Sequence, residues 1–316
     1  MENNQIKEKY FSTRQWGFGS NIVNYLKFSF YCDKNNYKLI LQDQNNSIGS
    51  DFELFSVIKL PSFIHRSKEI AYIPIYSVNT FIKFNKRSDY KLSEKIYYSY
   101  CFITGKNKGI FIKNFNRDKK VQSFFRNNYA SSVANSFLRY WSYNEIIKAV
   151  FAQYDIDFDC ENYTPDISIQ IRGGDKISES LRRGVTPALM EDYLNVCIAG
   201  IDKINHPIVN VYVMTDTYSF FKIIKKRLEA VYPTVIVRSF VKSEHEGYIQ
   251  EKFNTLDKQT KINSYYFFLY ELEILRRSHL CIGSYASNIF YLASLITYLK
   301  DSKFISVDVE FENSFL

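Results

Sequence analysis

The sequence predicts an α/β protein made of two Rossmann-like domains that face each other across a cleft. Three observations lead there. The chain has 316 residues, enough for two domains of about 150 residues each. Its second half alternates short β-branched runs with segments of helical periodicity, the pattern of a mostly parallel sheet. Arg172, Asp216 and Ser284 fall just after predicted strands, where such sheets hold their ligands.

In chain order, Gly17-Phe18-Gly19-Ser20-Asn21 reads as a glycine turn. It opens a helix carrying Ile22, Val23, Tyr25, Leu26 and Phe28, and Tyr37–Leu41 follows as a strand. Residues 50–125 are rich in β-branched and aromatic side chains without a period that assigns them. From Ser131 to Tyr154, the spacing of Phe137, Leu138, Trp141, Ile146, Ile147, Val150 and Phe151 predicts two helices. They cross from an N-terminal domain, residues 1–160, into a C-terminal one, residues 161–316. There, Ile167–Ile171 alternates as a strand, and Pro187–Ile204 is helical with Thr186 as N-cap and Pro187 at the first helical position. Val209–Met214 is a strand, followed by a helix through Ala230 and a strand at Thr234–Val237. Ser264–Arg277 is a helix, Leu280–Gly283 a strand and Ser287–Tyr298 a helix.

Composition narrows the class. Hydrophobic residues at 46% and charged residues at 23% describe an ordinary globular chain. Aromatics reach 17%, but alongside abundant Lys, Asn and Ile they reflect an AT-rich coding bias and carry no argument for base stacking. A net charge of +8 suits a phosphate-bearing partner. The basic residues are scattered, and Arg172, Lys176, Arg182 and Arg183 cluster around a strand-end loop, which disfavours a nucleic-acid-binding protein. The five cysteines, Cys32, Cys101, Cys160, Cys197 and Cys281, are odd in number and widely spaced. They predict neither zinc nor a disulfide framework, and they fit a reducing compartment. Residues 1–10 are polar and resemble no signal peptide. The uncharged stretch Leu280–Leu299 is long enough for a membrane span, yet Gly283, Ser284, Ser287, Asn288 and Ser294 divide it into strand, turn and buried helix. A soluble cytoplasmic protein is the expectation.

Three segments carry chemistry. In Gln170-Ile171-Arg172-Gly173-Gly174-Asp175-Lys176, an arginine at a strand end precedes two glycines that let backbone approach a ligand. Guanidinium matches diphosphate oxygens in a bidentate way, although Arg172 pairing with Asp175 would explain the same turn. Gly283-Ser284-Tyr285-Ala286-Ser287-Asn288 opens a helix with hydroxyls and backbone donors suited to an anion, or with a plain serine cap. Gly17-Phe18-Gly19-Ser20-Asn21 is the third, and neither a GxGxxG nor a P-loop pattern occurs. The sequence is read as holding no Asp-x-Asp motif of the kind that holds Mn²⁺ on a diphosphate. His65, His206, His245 and His279 are dispersed, as structural or surface residues would be.

Together these segments resemble the α1,6-fucosyltransferase family, and more distantly the protein O-fucosyltransferases. Gly17-Phe18-Gly19 matches the family's first glycine turn, and Gln170–Lys176 its H-V-R-R-T-D-K strand end. Val211-Tyr212-Val213-Met214-Thr215-Asp216-Thr217 matches V-Y-x-A-T-D-D. Glu271, with Ser284-Tyr285-Ala286-Ser287-Asn288, matches an acidic helix and a T-F-S-S-Q turn. The resemblance covers most of residues 160–300 and the patch near residue 17. It implies a GT-B fold with the nucleotide sugar on the C-terminal domain and the acceptor on the N-terminal one. It further implies inverting, metal-independent transfer of fucose from GDP-fucose to a glycan or glycoconjugate hydroxyl, with no cofactor. Arg172 and Ser287 would meet the β-phosphate and Glu271 the guanine N1 and N2 groups. Gly17, Gly19, Asn21, Gln170, Asp216, Ser284 and Asn288 would complete the donor site. Three departures stand out. Gln170 replaces a histidine, Gly173 replaces the second arginine, and Ser180 aligns with the catalytic glutamate. Glu179 is then the substitute base, beside Asp175 and Lys176.

Overall fold

The computed structural model describes residues 8–12, 18–42, 141, 143–161, 163–174, 187–297 and 303–308. The N-terminal part is a βαβ unit. Strand β1 (Glu8–Ser12) pairs in parallel with β2 (Lys38–Gln42), and helix α1 (Phe18–Lys34) crosses between them. The crossover closes at Asn36, whose φ of 57° is one asparagine tolerates, while Tyr37 N–H returns to the Cys32 carbonyl (2.9 Å). Strand β1 was not anticipated, since Glu8-Lys9-Tyr10-Phe11-Ser12 is short and its partner among the described residues lies 30 residues away.

The C-terminal part is a five-stranded parallel sheet in the order β5-β4-β3-β6-β7. Its strands are β3 (Ile167–Ile171), β4 (Val209–Thr215), β5 (Val235–Arg238), β6 (Leu280–Gly283) and β7 (Lys303–Ser306). Alternation sends Ile167, Ile169, Ile171, Val211 and Val213 to one face. There they bury against Tyr193, Leu194 and Cys197 of α3 (Met190–Ile201) and Ile224 and Leu228 of α4 (Tyr218–Val231). Tyr212, Met214 and Cys281 face the other side. They pack with Phe151 of α2 (Glu145–Asp157), Leu269 and Tyr270 of α6 (Lys258–Arg277) and Phe290 of α7 (Asn288–Thr297). Ser168 points the same way as Tyr212, its hydroxyl 2.7 Å from that of Ser278. Helices on both faces of a parallel sheet make this the doubly wound architecture that the sequence predicts.

Two helix starts differ from expectation. The helix predicted from Pro187 starts at Met190, because the Asp192 carboxylate accepts the Leu189 N–H (2.8 Å) and closes the first turn there; Thr186 lies outside the described residues. Helix α6 begins at Lys258, where Asp257 accepts the Thr260 N–H (3.0 Å), six residues before the expected start. Short α5 (Gln250–Thr255) and edge strand β7 were not anticipated. Of the two helices read between Ser131 and Tyr154, α2 is the second, capped by Asn144 (2.9 Å to Ile147 N–H), and the first lies outside the described residues. Among the described residues no helix is long and apolar enough to cross a membrane, and Leu280–Thr297 divides into β6, a turn and α7.

Candidate nucleotide site at the strand ends

The carboxyl ends of β3 and β4 are joined through Asp216. Its Oδ1 accepts the Gly173 N–H (2.8 Å) and the Thr217 hydroxyl (3.1 Å), and its Oδ2 accepts the Tyr248 N–H (3.2 Å). Its carbonyl accepts the Gly247 N–H (2.8 Å). Arg172 reaches the same carboxylate, Nε to Oδ2 3.7 Å, and lays its guanidinium over the Tyr248 ring at 5.1 Å. Asp216 thus anchors Arg172 and three loop segments at one point. The glycines have a different reason from the expected ligand approach. A Cβ on Gly173 would lie 2.3 Å from Thr217 Oγ1, and one on Gly174, at φ 56°, would lie 2.5 Å from the Tyr248 carbonyl oxygen. They admit neighbouring protein. Gly247, at φ 106°, makes the reciprocal approach to Gly174.

Gln170 and Glu271 occupy the other face of the sheet from α3 and α4. Gln170 is 2% exposed, and its Oε1 has no hydrogen-bond partner among the described residues. A buried acceptor left unpaired costs about 1–3 kcal/mol. Glu271 is buried on α6, and its Oε1 accepts the Tyr212 hydroxyl at 2.6 Å. Burial pushes the Glu271 carboxyl up to about 7; the Tyr212 hydrogen bond opposes that shift and the Asp216 charge adds to it. Burial and the adjacent Glu271 push the Tyr212 phenol well above its ordinary range, so it remains a donor.

The turn before α7 is tied internally more tightly than its sequence indicates. Ser284 donates its hydroxyl to Asp308, and Asp308 Oδ1 accepts the Tyr285 N–H (3.1 Å) and the Ser306 hydroxyl (2.7 Å). Ser284 also accepts the Ala286 N–H at its Oγ (3.1 Å) and the Ser287 N–H at its carbonyl (2.9 Å). Of the donors expected to stand open for an anion, the Ser284 hydroxyl and the Tyr285, Ala286 and Ser287 N–H groups are engaged within the turn. Ser287 keeps a buried Oγ without a partner among the described residues. Gly283 is required here by the ring of Phe290, which a Cβ would meet at 2.1 Å.

The first glycine segment converges on this turn. Gly19 lies in the first turn of α1, and a Cβ there would sit 3.8 Å from Ile289 Cγ1 and 3.9 Å from the Asn288 backbone. Phe18 stacks on Tyr265 of α6 (4.6 Å), and Tyr265, Phe253 and Tyr248 continue as neighbouring rings to Arg172. Asn21 is fully buried and Asn288 half-buried. Gly17, Asp175, Lys176 and Glu179 lie outside the described residues.

One sequence statement needs correction. Asp155-Ile156-Asp157-Phe158-Asp159 fits the Asp-x-Asp pattern literally. It forms the end of α2, where Asp155 accepts the Tyr270 hydroxyl (2.8 Å) and lies 3.8 Å from Arg277 Nη1, while Asp157 and Asp159 are exposed. Among the described residues no three His, Cys, Asp or Glu side chains gather as a metal site. His206 pairs with Asp166 (3.0 Å), and His245 and His279 are exposed. Sequence reasoning missed Tyr212 as a partner of Glu271, and Gly247, Tyr248 and Asp308 altogether. An isolated glycine before an aromatic, Gly247-Tyr248, was the one available signal.

No family model matches the sequence, and no curated protein matches it. Solved structures do. A mutant of Arabidopsis thaliana FUT1 in complex with GDP aligns with a TM-score of 0.50 at 14% identity, over 94% of this chain and 70% of that one. POFUT1 without ligand aligns at 0.50 and 9% identity, over 96% of this chain and 99% of that one. The fucosyltransferase NodZ from Bradyrhizobium aligns at 0.42 and 13% identity, over 92% and 93%. The chain thus has the Rossmann-like α/β fold of the GT-B fucosyltransferases FUT1 and POFUT1.

Proposed function

We propose that the chain is a fucosyltransferase that binds GDP-fucose at the carboxyl ends of β3, β4 and β6 and transfers the sugar to a glycan or glycoconjugate hydroxyl. One observation carries the reading most. Two buried polar atoms without partners among the described residues, Gln170 Oε1 and Ser287 Oγ, lie near the carboxyl ends of the neighbouring strands β3 and β6, where Arg172 follows β3, and helix α6 adds the buried acid Glu271 on the same side as Gln170. The fold shared with a FUT1 structure in complex with GDP supports the same nucleotide.

In this reading Arg172 and Ser287 meet the β-phosphate, and Glu271 and Gln170 meet the base. Asp216, Ser284, Gly19, Asn21 and Asn288 shape and brace the site. The acceptor hydroxyl attacks the anomeric carbon with inversion, its proton passes to a carboxylate, and the bond to the diphosphate breaks as Arg172 neutralises the departing charge. Glu179 is our choice for that carboxylate, with Asp175 and Lys176 beside it on the same loop. Charge neutralisation by Arg172, with a hydrogen bond from the Ser287 hydroxyl, supports transfer without a metal. The four described cysteines are buried free thiols, which supports a reducing compartment such as the cytoplasm.

A thermal-shift panel of GDP, UDP, CDP, ADP and their sugars tests the donor. GDP and GDP-fucose at about 100 times Kd are expected to stabilise the protein by roughly 2.7 kcal/mol, with little effect from the others. The stabilisation by GDP is expected to be lost in Arg172→Ala. Selective stabilisation by a different diphosphate, or by none, would overturn the assignment.

A further inference from the structure

We infer that Tyr212 is a positioning residue for base recognition: its buried hydroxyl holds one oxygen of Glu271 and leaves the other for the nucleotide base. This rests on the GDP reading above.

Tyr212 lies mid-strand in β4 and is fully buried, with its ring against Phe240 (5.3 Å) and Tyr163 (6.5 Å). Phenylalanine would supply the same apolar contacts. A hydroxyl in so dry a place is retained at a desolvation cost unless it bonds, and its partner is Glu271 Oε1 at 2.6 Å. Because the ring is wedged between β4 and α6, this bond fixes the carboxyl's rotation. A fixed carboxylate on the same face of the sheet as Gln170, whose Oε1 has no partner among the described residues, presents acceptors to a ligand edge rich in donors. Guanine offers N1–H and N2–H₂ side by side, whereas uracil offers one N–H between two carbonyls.

The charge on Glu271 then decides affinity. The titratable groups near it are Tyr212 from β4 and Asp216 at that strand's end, with Tyr163 and Cys160 behind Tyr212. Asp155 of α2 is turned instead to Tyr270 and Arg277. Glu271 protonates below about 7 and loses an acceptor position, so GDP affinity is expected to rise with pH through neutrality. Removing the Tyr212 donor raises that midpoint further, because the bond favours the ionised form.

The test is calorimetry of GDP and UDP between pH 5.5 and 8.5 on the full chain, wild type and Tyr212→Phe. The variant is expected to bind GDP about tenfold more weakly at pH 7, with its pH midpoint displaced upward and UDP affinity unchanged. In a Glu271→Gln background the pH dependence is expected to vanish, and Tyr212→Phe to leave the GDP-to-UDP ratio where it was. A lower Tm with an unmoved midpoint and ratio would make Tyr212 structural only and overturn the inference. If Tyr212→Phe does not fold, a wild-type GDP-to-UDP affinity ratio near one at every pH overturns it equally. Absence of GDP binding at every pH overturns the donor assignment and this inference together, whereas GDP binding with an unmoved midpoint overturns this inference alone.

Discussion

At the scale of single residues, Glu271 is under two opposed demands. Burial favours its neutral form, whereas the guanine contact we propose requires the ionised one. Its carboxyl titrates near 7 in the fold against 4.5 when exposed. The stability it contributes is therefore fully present below about pH 4.5 and is lost as the pH rises through 7. Glutamine keeps the acceptor for Tyr212 and removes the buried charge. Nucleotide-free Glu271→Gln should then be more stable than wild type at pH 8, by up to the order of 3 kcal/mol, with no gain at pH 4.5. Scanning calorimetry at both pH values checks this, and equal Tm differences at the two would refute it. The same variant should bind GDP more weakly, so stability and recognition move in opposite directions at one side chain.

At the scale of elements, the site depends on how closely two loops approach. Gly174 and Gly247 meet backbone to backbone, and Asp216 binds the N–H groups of both Gly173 and Tyr248. Gly174→Ala would introduce a side chain at φ 56° and drive its Cβ into the Tyr248 carbonyl oxygen, which as backbone cannot yield cheaply. We expect a loss of about 2–4 kcal/mol in denaturant unfolding, with weaker donor binding because Arg172 loses its brace. A variant within about 0.5 kcal/mol of wild type would mean that the two loops separate freely. Asp308 plays the corresponding part for the turn before α7, where its carboxylate binds Ser284, Tyr285 and Ser306.

At the scale of the whole molecule, α1 from the N-terminal βαβ unit packs on α7 and α6 of the C-terminal sheet. Gly19 approaches Asn288, and Phe18 stacks on Tyr265. Donor binding and chemistry are nonetheless separable in the proposed mechanism, since the groups that hold the nucleotide differ from the base. Glu179→Gln should retain the GDP-dependent thermal shift while transfer falls at least a hundredfold at every pH, measured as GDP release in the presence of acceptor. Unaltered turnover would remove Glu179 from the mechanism and direct attention to Asp175.

The local patterns in the chain were sufficient for the C-terminal architecture. Strands such as Ile167–Ile171 and Val209–Thr215 announce themselves because β-branched alternation is a property of the strand itself. Parallel pairing leaves short runs between helices, and the residues after them fall at the ligand end by topology. For that reason Arg172, Asp216 and Ser284 were legible as candidates, whereas Glu271 and Ser287 came from the family resemblance. Tertiary structure decided what each one touches. Only packing of α6 on β4 brings Tyr212 to Glu271, 59 residues apart, and only the β5–α5 connection brings Tyr248 over Arg172. Ser284 read as an open ligand, yet it is bound by Asp308 from beyond β7, 24 residues on. Hydrogen-bond partners at such separations leave no periodic trace, so sequence pattern placed the site and the three-dimensional contacts assigned its parts.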